Sequence, residues 1–241
     1  MAPPPSRHHF AGSIPGMFTR SLARRVARRG AQPLLTYYSA ADGARTELSA
    51  VTFANWVDKT ANLIVDLGHD DGEPIDVALA EAHPAHWVTL VWIAAAWQRG
   101  CPVTLGVTGA DLLVVGPDDD RRAETTVACS LHPLGLGFRP PVPGVVNYAE
   151  VFVQPDAHDE AAELGFLPFD TDPGASRRGS GSRSVESRDT RILLADPAPG
   201  WDTVAQALVA PVLGDGSTVV AVGYDDAGLD ALATSERARQ A

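Results

Sequence analysis

Three consecutive carboxylates follow an apolar stretch and could bind a divalent cation. Asp118, Asp119 and Asp120 follow residues 112–116, a run that is typical of a buried strand, with Pro117 between them. Carboxylates at the carboxyl end of a strand can hold Mg²⁺, because open α/β sheets bind ligands at that edge. The favoured interpretation is structural, with helix capping and ion pairing to Arg121–Arg122, since no further ligand is evident elsewhere in the sequence.

Two histidines at the predicted start of a helix, His83 and His86, could form a metal pair. No cysteine or third histidine stands at ligand spacing from them, so an exposed position at the helix start is favoured. The patterns G-x-S-x-G, H-E-x-x-H and G-x-G-x-x-G are all missing. These residue types alone therefore predict no metal ligand and no catalytic residue.

A partial internal repeat predicts the elements that would position any site. Trp87 and Trp201 each open an apolar run that ends at a glycine 13 residues later. Each run follows a short apolar stretch, at 75–79 and at 191–195. Each is followed by a second apolar stretch, at 101–105 and at 218–222. Strand, helix and strand, in two copies, predicts an α/β fold with two parallel βαβ lobes. The helix after the first strand, at about 85–99, is apolar on most sides and is expected between a sheet and another layer.

Helix and turn signals define the first part of the chain. A strand is predicted at 33–39, followed by a hairpin turn at Asp42-Gly43 and a returning strand. Ser49 is placed to cap the next helix, and Gly68 is placed to end it. A helix over 18–29 carries five arginines opposite its apolar face, which we interpret as a solvated face and not as a membrane or partner surface. They are Arg20, Arg24, Arg25, Arg28 and Arg29.

Composition divides the chain into four regions. Residues 1–16 are rich in proline, glycine and histidine and are expected to be loose. A first α/β lobe is predicted over 17–169. Residues 170–189 hold almost no apolar side chains and are predicted to form a disordered linker. A second, small βαβ lobe is predicted over 190–241, docked on the first so that its strands are buried on both faces.

Charge and hydropathy exclude several classes of protein. The net charge of −11 argues against nucleic-acid binding, which needs clustered cations. No apolar run is long enough to span a bilayer, and the first residues do not resemble a signal peptide. The two cysteines, Cys101 and Cys129, make no disulfide framework. A cytoplasmic location follows as the expectation.

Five segments occur in an order that carries a family resemblance. They are 34–38 (LLTYY), 45–49 (RTELS), 71–79 (DGEPIDVAL), 92–103 (WIAAAWQRGCPV) and 210–220 (APVLGDGSTVV). In this order they resemble the truncated N-terminal region of adenylate-forming enzymes, the acyl-CoA synthetase and AMP-ligase group. A shortened relative of the kind found in actinobacteria is the best match. The resemblance covers the first hundred or so residues well and the last fifty loosely.

The resemblance also implies parts that this sequence lacks. Adenylate-forming enzymes carry a glycine- and serine-rich phosphate loop that ends in Pro-Lys-Gly and presents backbone N–H groups to ATP. Only Arg178, Gly179, Gly181 and Arg183 form a segment of similar composition, which a flexible linker would also give. Lys59 is the only lysine in the sequence, and the lobe that carries the catalytic lysine of those enzymes is not represented.

Two functions remain in view at this stage. The first is a non-catalytic remnant of the adenylate-forming fold that binds a ligand or another protein and needs no cofactor. The alternative is an adenylate-forming or CoA-linked ligase, using ATP or CoA, whose site is completed by another protein chain. ATP-dependent release of pyrophosphate by the purified chain distinguishes the two.

Overall fold

Two five-stranded sheets form the framework of this chain in a computed structural model that describes residues 14–107, 109–157 and 185–241. The predictions for three other segments lie outside the described part. They are 1–13, in the predicted N-terminal region, 158–169, at the predicted end of the first lobe, and 170–184, in the predicted linker.

The first sheet combines strands from both ends of the chain. Its strands are β1 (Pro33–Ser39), β2 (Arg45–Ser49), β8 (Arg191–Ala195), β9 (Ser217–Val222) and β10 (Arg239–Gln240). Their order is β10-β8-β9-β1-β2, and every neighbouring pair is parallel except the hairpin β1–β2. Asp42-Gly43 lies in that hairpin as predicted, with a φ of 67° at Gly43, a value that favours glycine.

The second sheet is entirely parallel and comes from the middle of the chain. It contains β3 (Ile75–Val77), β4 (Val103–Thr104), β5 (Leu112–Val115), β6 (Thr125–Ala128) and β7 (Val146–Asn147). The order is β4-β3-β5-β6-β7. The carboxyl ends of all five strands therefore lie at one edge of the sheet.

Helices cover and separate the sheets. They are α1 (Ile14–Arg29), α2 (Ala50–Asp66), α3 (Leu79–Ala82), α4 (Trp87–Gln98), a 3-10 helix (Tyr148–Val153), α5 (Trp201–Val204), a π-helical turn (Ala205–Val209), α6 (Ala210–Leu213) and α7 (Asp226–Ser235). The Ser49 hydroxyl accepts a hydrogen bond from the Thr52 N–H at 3.2 Å, so the predicted cap of α2 is confirmed.

Helix α4 lies between the two sheets. All twelve of its residues are buried, and it contacts β1 of the first sheet as well as β3 and β4 of the second. A helix that is apolar on every side must be covered on every side, which agrees with the prediction from its sequence. Helix α7 packs instead on the opposite face of the first sheet, where Leu229 and Leu232 contact Leu193 and Val219.

The internal repeat corresponds to two βαβ units. Strand β3, helix α4 and strand β4 form the first, and β8, the continuous helical segment from Trp201 to Leu213, and β9 form the second. In both units the two strands are adjacent and parallel. The predicted α/β class with parallel βαβ units is therefore confirmed.

The two predicted lobes share a sheet, because β9 pairs with β1. The lobe boundaries at 169 and 190 stay predictions. The described end of the linker, 185–189, packs on the second βαβ unit: the Arg188 N–H donates to Ala210 O at 2.9 Å, and Arg188 O accepts from the Gly216 N–H at 2.8 Å.

The arginine-rich face of α1 is not simply solvated, which corrects the expectation from sequence. Arg25 is only 3% exposed, and its guanidinium donates to Gly216 O at 3.1 Å. Arg25, Arg28 and Arg29 all form ion pairs with Asp215. These charges therefore join α1 to the loop before β9. No helix in the described part of the chain is long and apolar enough to cross a membrane.

Candidate functional site

The three consecutive aspartates lie in the loop between β5 and β6, and the contacts of Asp119 are those of a structural ion pair. The Arg121 guanidinium donates to both carboxylate oxygens of Asp119, at 2.6–3.0 Å, and this pairing lowers the pKa of Asp119. Asp118 and Asp120 are exposed. The pairing agrees with the favoured interpretation, but no helix follows for these residues to cap. Within the described ranges, no group of three or more His, Cys, Asp or Glu side chains could hold a metal ion.

The two histidines occupy different environments. His86 is 4% exposed and is the N-cap of α4, where its Nδ1 accepts a hydrogen bond from the Val88 N–H at 3.2 Å. The expectation of an exposed His86 was therefore wrong. Tyr37 of β1 covers the His86 ring, and the two ring centroids are 4.6 Å apart. His83 is half-buried, and its ring lies 6.4 Å from that of His86.

A cavity of about 180 Å³ lies where the two sheets meet, and we call it the inter-sheet cavity. Its walls come from the carboxyl-terminal parts of β1 and β9, the turn after β8, and the segment between α3 and α4. The residues that line it are Tyr37, Ala82, His83, Pro84, Ala85, His86, Asp196, Pro197, Val220 and Val222. The carboxyl ends of parallel strands are where open α/β sheets bind ligands, so this cavity is the candidate functional site.

The histidine and tyrosine side chains that line the inter-sheet cavity are uncharged, and its one carboxylate, Asp196, lies at the exposed rim. Burial lowers the pKa of His86 to about 3 and also lowers the pKa of His83, against the opposing effect of Asp118. Burial raises the pKa of the Tyr37 phenol. The exposed Asp196 is fixed by its Oδ1, which accepts from the Gly223 N–H at 2.8 Å. The described lining thus contains a carboxylate and no lysine or arginine.

Protonation of His86 should couple stability to pH. The folded state keeps this ring neutral down to about pH 3, whereas the unfolded chain binds a proton near pH 6.5. The unfolded state therefore binds more protons between these values, so stability is complete above pH 6.5 and falls as the pH falls. We expect a loss of up to roughly 2 kcal/mol between pH 6.5 and 5.

Urea unfolding of the wild type and of His86→Asn across this range measures the effect. Asparagine keeps an N-cap acceptor but does not titrate, so the variant should lose less stability than the wild type on acidification. Equal losses in the two proteins would show that His86 is protonated in the folded state.

The segment that resembles a phosphate loop in composition lies outside the described residues. Arg178, Gly179, Gly181 and Arg183 all fall within the undescribed 158–184, so their role stays a prediction. The single lysine lies on α2. Its Nζ contacts Asp156 Oδ1 at 2.8 Å and donates to Gln154 O at 2.5 Å, so Lys59 anchors the chain after the 3-10 helix.

Comparison with known sequences identifies the family of this chain. No model of a protein family matches it. A TIGR03089 family protein from Mycobacterium tuberculosis is 30% identical over 210 residues, which is 80% of this chain and 84% of the relative. The chain belongs to the TIGR03089 family.

Solved structures connect this TIGR03089 family member to adenylate-forming enzymes by fold. An acyl-CoA synthetase from Brucella canis aligns with a TM-score of 0.65 at 16% identity, over 92% of this chain and 46% of the synthetase. The N-terminal domain of FACL13 from Mycobacterium tuberculosis aligns with a TM-score of 0.56 at 14% identity, over 92% of this chain and 61% of that domain.

An amide bond synthetase from Marinactinospora thermotolerans, McbA, gives a TM-score of 0.57 at 13% identity, over 94% of this chain and 47% of the enzyme. The family member thus spans about half the length of the two full enzymes. The resemblance to the N-terminal region of adenylate-forming enzymes is confirmed at the level of the fold.

Sequence reasoning missed most of the inter-sheet cavity. Tyr37 and Val222 read as ordinary strand residues, and Asp196 reads as a residue after a strand. Val222 ends a predicted parallel strand and Asp196 follows one, which is the signal that could have grouped these two. Tyr37 lies in a strand that was predicted only as one arm of a hairpin. The pairing of β1 with β9, which brings them together, could not be derived from local patterns.

Proposed function

We propose that this TIGR03089 family member is a non-catalytic form of the adenylate-forming fold and binds a small uncharged molecule in the inter-sheet cavity. The observation that carries this proposal is the composition of the lining. It combines apolar side chains with two neutral imidazoles and a carboxylate, and none of the described residues that line it is a lysine or an arginine. Such a surface favours uncharged ligands and disfavours anions.

The size of the cavity restricts the ligand further. A volume of about 180 Å³ is close to that of an engineered cavity that admits benzene, a molecule of about six heavy atoms. Among the lining residues, His83 makes no hydrogen bond through its ring nitrogens to any described residue, so it can donate to or accept from the ligand. A small aromatic or aliphatic alcohol fits both conditions.

Nucleotide chemistry is poorly supported by the described residues. Phosphate groups are bound by lysine, arginine or helix N-termini. Helix α4 does begin at the cavity, but the Val88 N–H of its first turn already donates a hydrogen bond to the His86 ring. That donor is therefore not open to a phosphate group. The only lysine is paired with Asp156. With a net charge of −11, long-range attraction of ATP is unfavourable as well.

A second candidate function rests on the extent of the fold match. The chain aligns over 92% of its length with an acyl-CoA synthetase but covers 46% of that enzyme. A ligase that is completed by another chain, with ATP or CoA as its cofactor, would show this pattern. Micromolar binding of ATP·Mg²⁺ by the purified chain would support this alternative over the first proposal, because an incomplete site can bind the nucleotide without turning it over.

A cytosolic location belongs to the same proposal. Both cysteines are free and buried in the structure, Cys101 beside the Asp70 carbonyl and Cys129 in the core. Free thiols are typical of reducing compartments.

Phenol is a suitable probe for the inter-sheet cavity. We expect it to shift the backbone amide resonances of Ala85 and Val220 saturably, with a dissociation constant of about 1 mM or tighter. Val222→Phe fills the cavity from the end of β9 and should weaken binding at least tenfold, by analogy with other filled cavities.

Val153→Phe is the matched control, because Val153 is 84% exposed and lies away from the cavity. It should bind phenol like the wild type. Equal binding by all three proteins, or no saturable shift in the wild type, would contradict the proposal.

A further inference from the structure

The outer face of the second sheet carries a buried carboxylate that is only half satisfied. Asp76 lies in β3 and is 1% exposed. Its Oδ1 accepts from the Gly106 N–H at 2.7 Å and from the Thr104 hydroxyl at 2.9 Å. Its Oδ2 is buried and has no hydrogen-bond partner among the described residues. A buried carboxylate oxygen without a donor costs free energy, so this position calls for an explanation.

Asp76 forms the floor of a second cavity, which we call the outer-face cavity. It has a volume of about 310 Å³. Asp76 and Leu113 are its buried lining residues, and the others come from the loops before β5 and β6. Those others are Gly109, Ala110, Asp111, Arg121, Arg122, Ala123 and Glu124. A ligand that enters between the two loops would thus meet the Asp76 side chain at the bottom.

The nearby arginine is not available to satisfy Asp76. The Arg121 guanidinium is bound by Asp119 and by Glu81. The Glu81 side chain lies directly against the backbone of Gly106, which follows β4. A Cβ atom added to Gly106 would be only 2.1 Å from Glu81 Cδ. Arg122 donates to the Arg121 carbonyl.

The charges of this region favour a cation. Asp76, Asp111 and Glu124 line the outer-face cavity, and Glu81 and Asp119 neutralise Arg121 beside it. Carboxylates therefore outnumber guanidinium groups by five to two. Burial raises the pKa of Asp76, against hydrogen bonds from the Gly106 N–H, the Thr104 hydroxyl and the Val107 backbone and against the charge of Arg121. An added positive hydrogen-bond donor would stabilise its ionised form further.

We propose that the outer-face cavity binds a small organic cation, whose ammonium or guanidinium group donates a hydrogen bond to Asp76 Oδ2. An inorganic metal ion fits less well, because the described residues offer no group of three or more side-chain ligands. A charge-assisted N–H···O bond needs one carboxylate oxygen only, and it is stronger than a neutral one. This site is separate from the inter-sheet cavity and does not depend on the function proposed for it.

Agmatine is the probe, since it carries a guanidinium and an ammonium group on a four-carbon chain. 1,4-Butanediol is the neutral control and succinate the anionic one. In a ¹H–¹⁵N NMR titration of the full chain, agmatine should shift the Gly106 and Leu113 amides saturably. The diol and succinate should not. Absence of a saturable shift with agmatine, or equal binding of the diol, would overturn the proposal and leave a water molecule as the partner of Asp76.

Asp76→Asn tests the residue itself, because it keeps the shape and removes the charge. We expect agmatine to bind this variant at least tenfold more weakly. Asp226→Asn, at an exposed aspartate at the start of α7, should bind like the wild type. Unchanged binding by Asp76→Asn would contradict the assignment.

A measurement on the wild type covers the case in which Asp76→Asn does not fold. The side-chain carboxyl ¹³C resonance of Asp76 is titrated with pH in the absence and presence of saturating agmatine. A cation on Oδ2 should lower the pKa of Asp76. An unchanged pKa would show that agmatine does not contact this carboxylate.

Discussion

Replacing Trp87 or Trp201 by alanine is expected to lower the free energy of unfolding by about 3–5 kcal/mol in each case. Both indoles open the helix of a βαβ unit, and they are 1% and 7% exposed. Trp87 packs edge-on against Trp56, with centroids 4.9 Å apart. Trp201 stacks on Trp97 of α4, with centroids 6.3 Å apart, and so joins the two units.

For Trp87, the expected decrease in the free energy of unfolding comes from lost packing. Its Nε1 has no hydrogen-bond partner among the described residues, so alanine removes apolar contacts and leaves a cavity. Urea unfolding measures the effect, and Val153→Ala, at an exposed position, should stay within about 0.5 kcal/mol of the wild type. Near-neutral results at both tryptophans would mean that the repeat in the sequence does not mark equivalent buried positions.

Replacing Asp215 by alanine should cost about 3 kcal/mol. Its carboxylate lies 3.4 Å from the guanidinium of Arg25, whose side chain is 2% exposed. Burial already lowers the pKa of Arg25, and Asp215 is the group that opposes this effect. Removal of one partner leaves a buried charge without compensation, which costs about 3–5 kcal/mol in fully buried pairs. Because Asp215 is 20% exposed, we expect the lower end of this range.

A double variant separates the charge effect from the loss of contacts. Arg25→Met removes the buried charge, so Asp215→Ala should cost less when it is combined with Arg25→Met than when it is made alone. Arg28→Ala is the control, since that side chain is 65% exposed, and its effect should be within about 0.5 kcal/mol. Additive effects of Asp215→Ala and Arg25→Met in urea unfolding would show that the two side chains do not interact.

Local signals predicted the long elements of this fold well. Strand β1 and the start of α2 at Ser49 agree with the sequence patterns. Strands β6 and β7 were not predicted, although β5, which is as short as β6, was. Strand β5 is an unbroken apolar run, whereas β6 begins with two threonines and β7 is a Val-Asn pair, so neither stands out from the surrounding sequence. Parallel pairing supplies their stability from neighbouring strands, and no local pattern records that.

The candidate sites depended on contacts between distant parts of the sequence. His86 was expected to be exposed because no cysteine or third histidine stands at ligand spacing from it, but Tyr37 of β1 covers its ring. Asp76 reads as the polar position in an alternating strand, which is typical of a solvated face. Contacts from distant residues bury it, among them Thr104 of β4 and the loops before β5 and β6.

The most direct test of the proposed function is isothermal titration calorimetry of the purified chain at low salt. The dissociation constant of ATP·Mg²⁺ is compared with that of phenol. The proposal predicts that phenol binds at the inter-sheet cavity and that ATP·Mg²⁺ binds no more tightly than about 1 mM, an affinity of about 4 kcal/mol. Micromolar binding of ATP·Mg²⁺ that is abolished by Arg178→Ala or Arg183→Ala would contradict the proposal and favour a ligase.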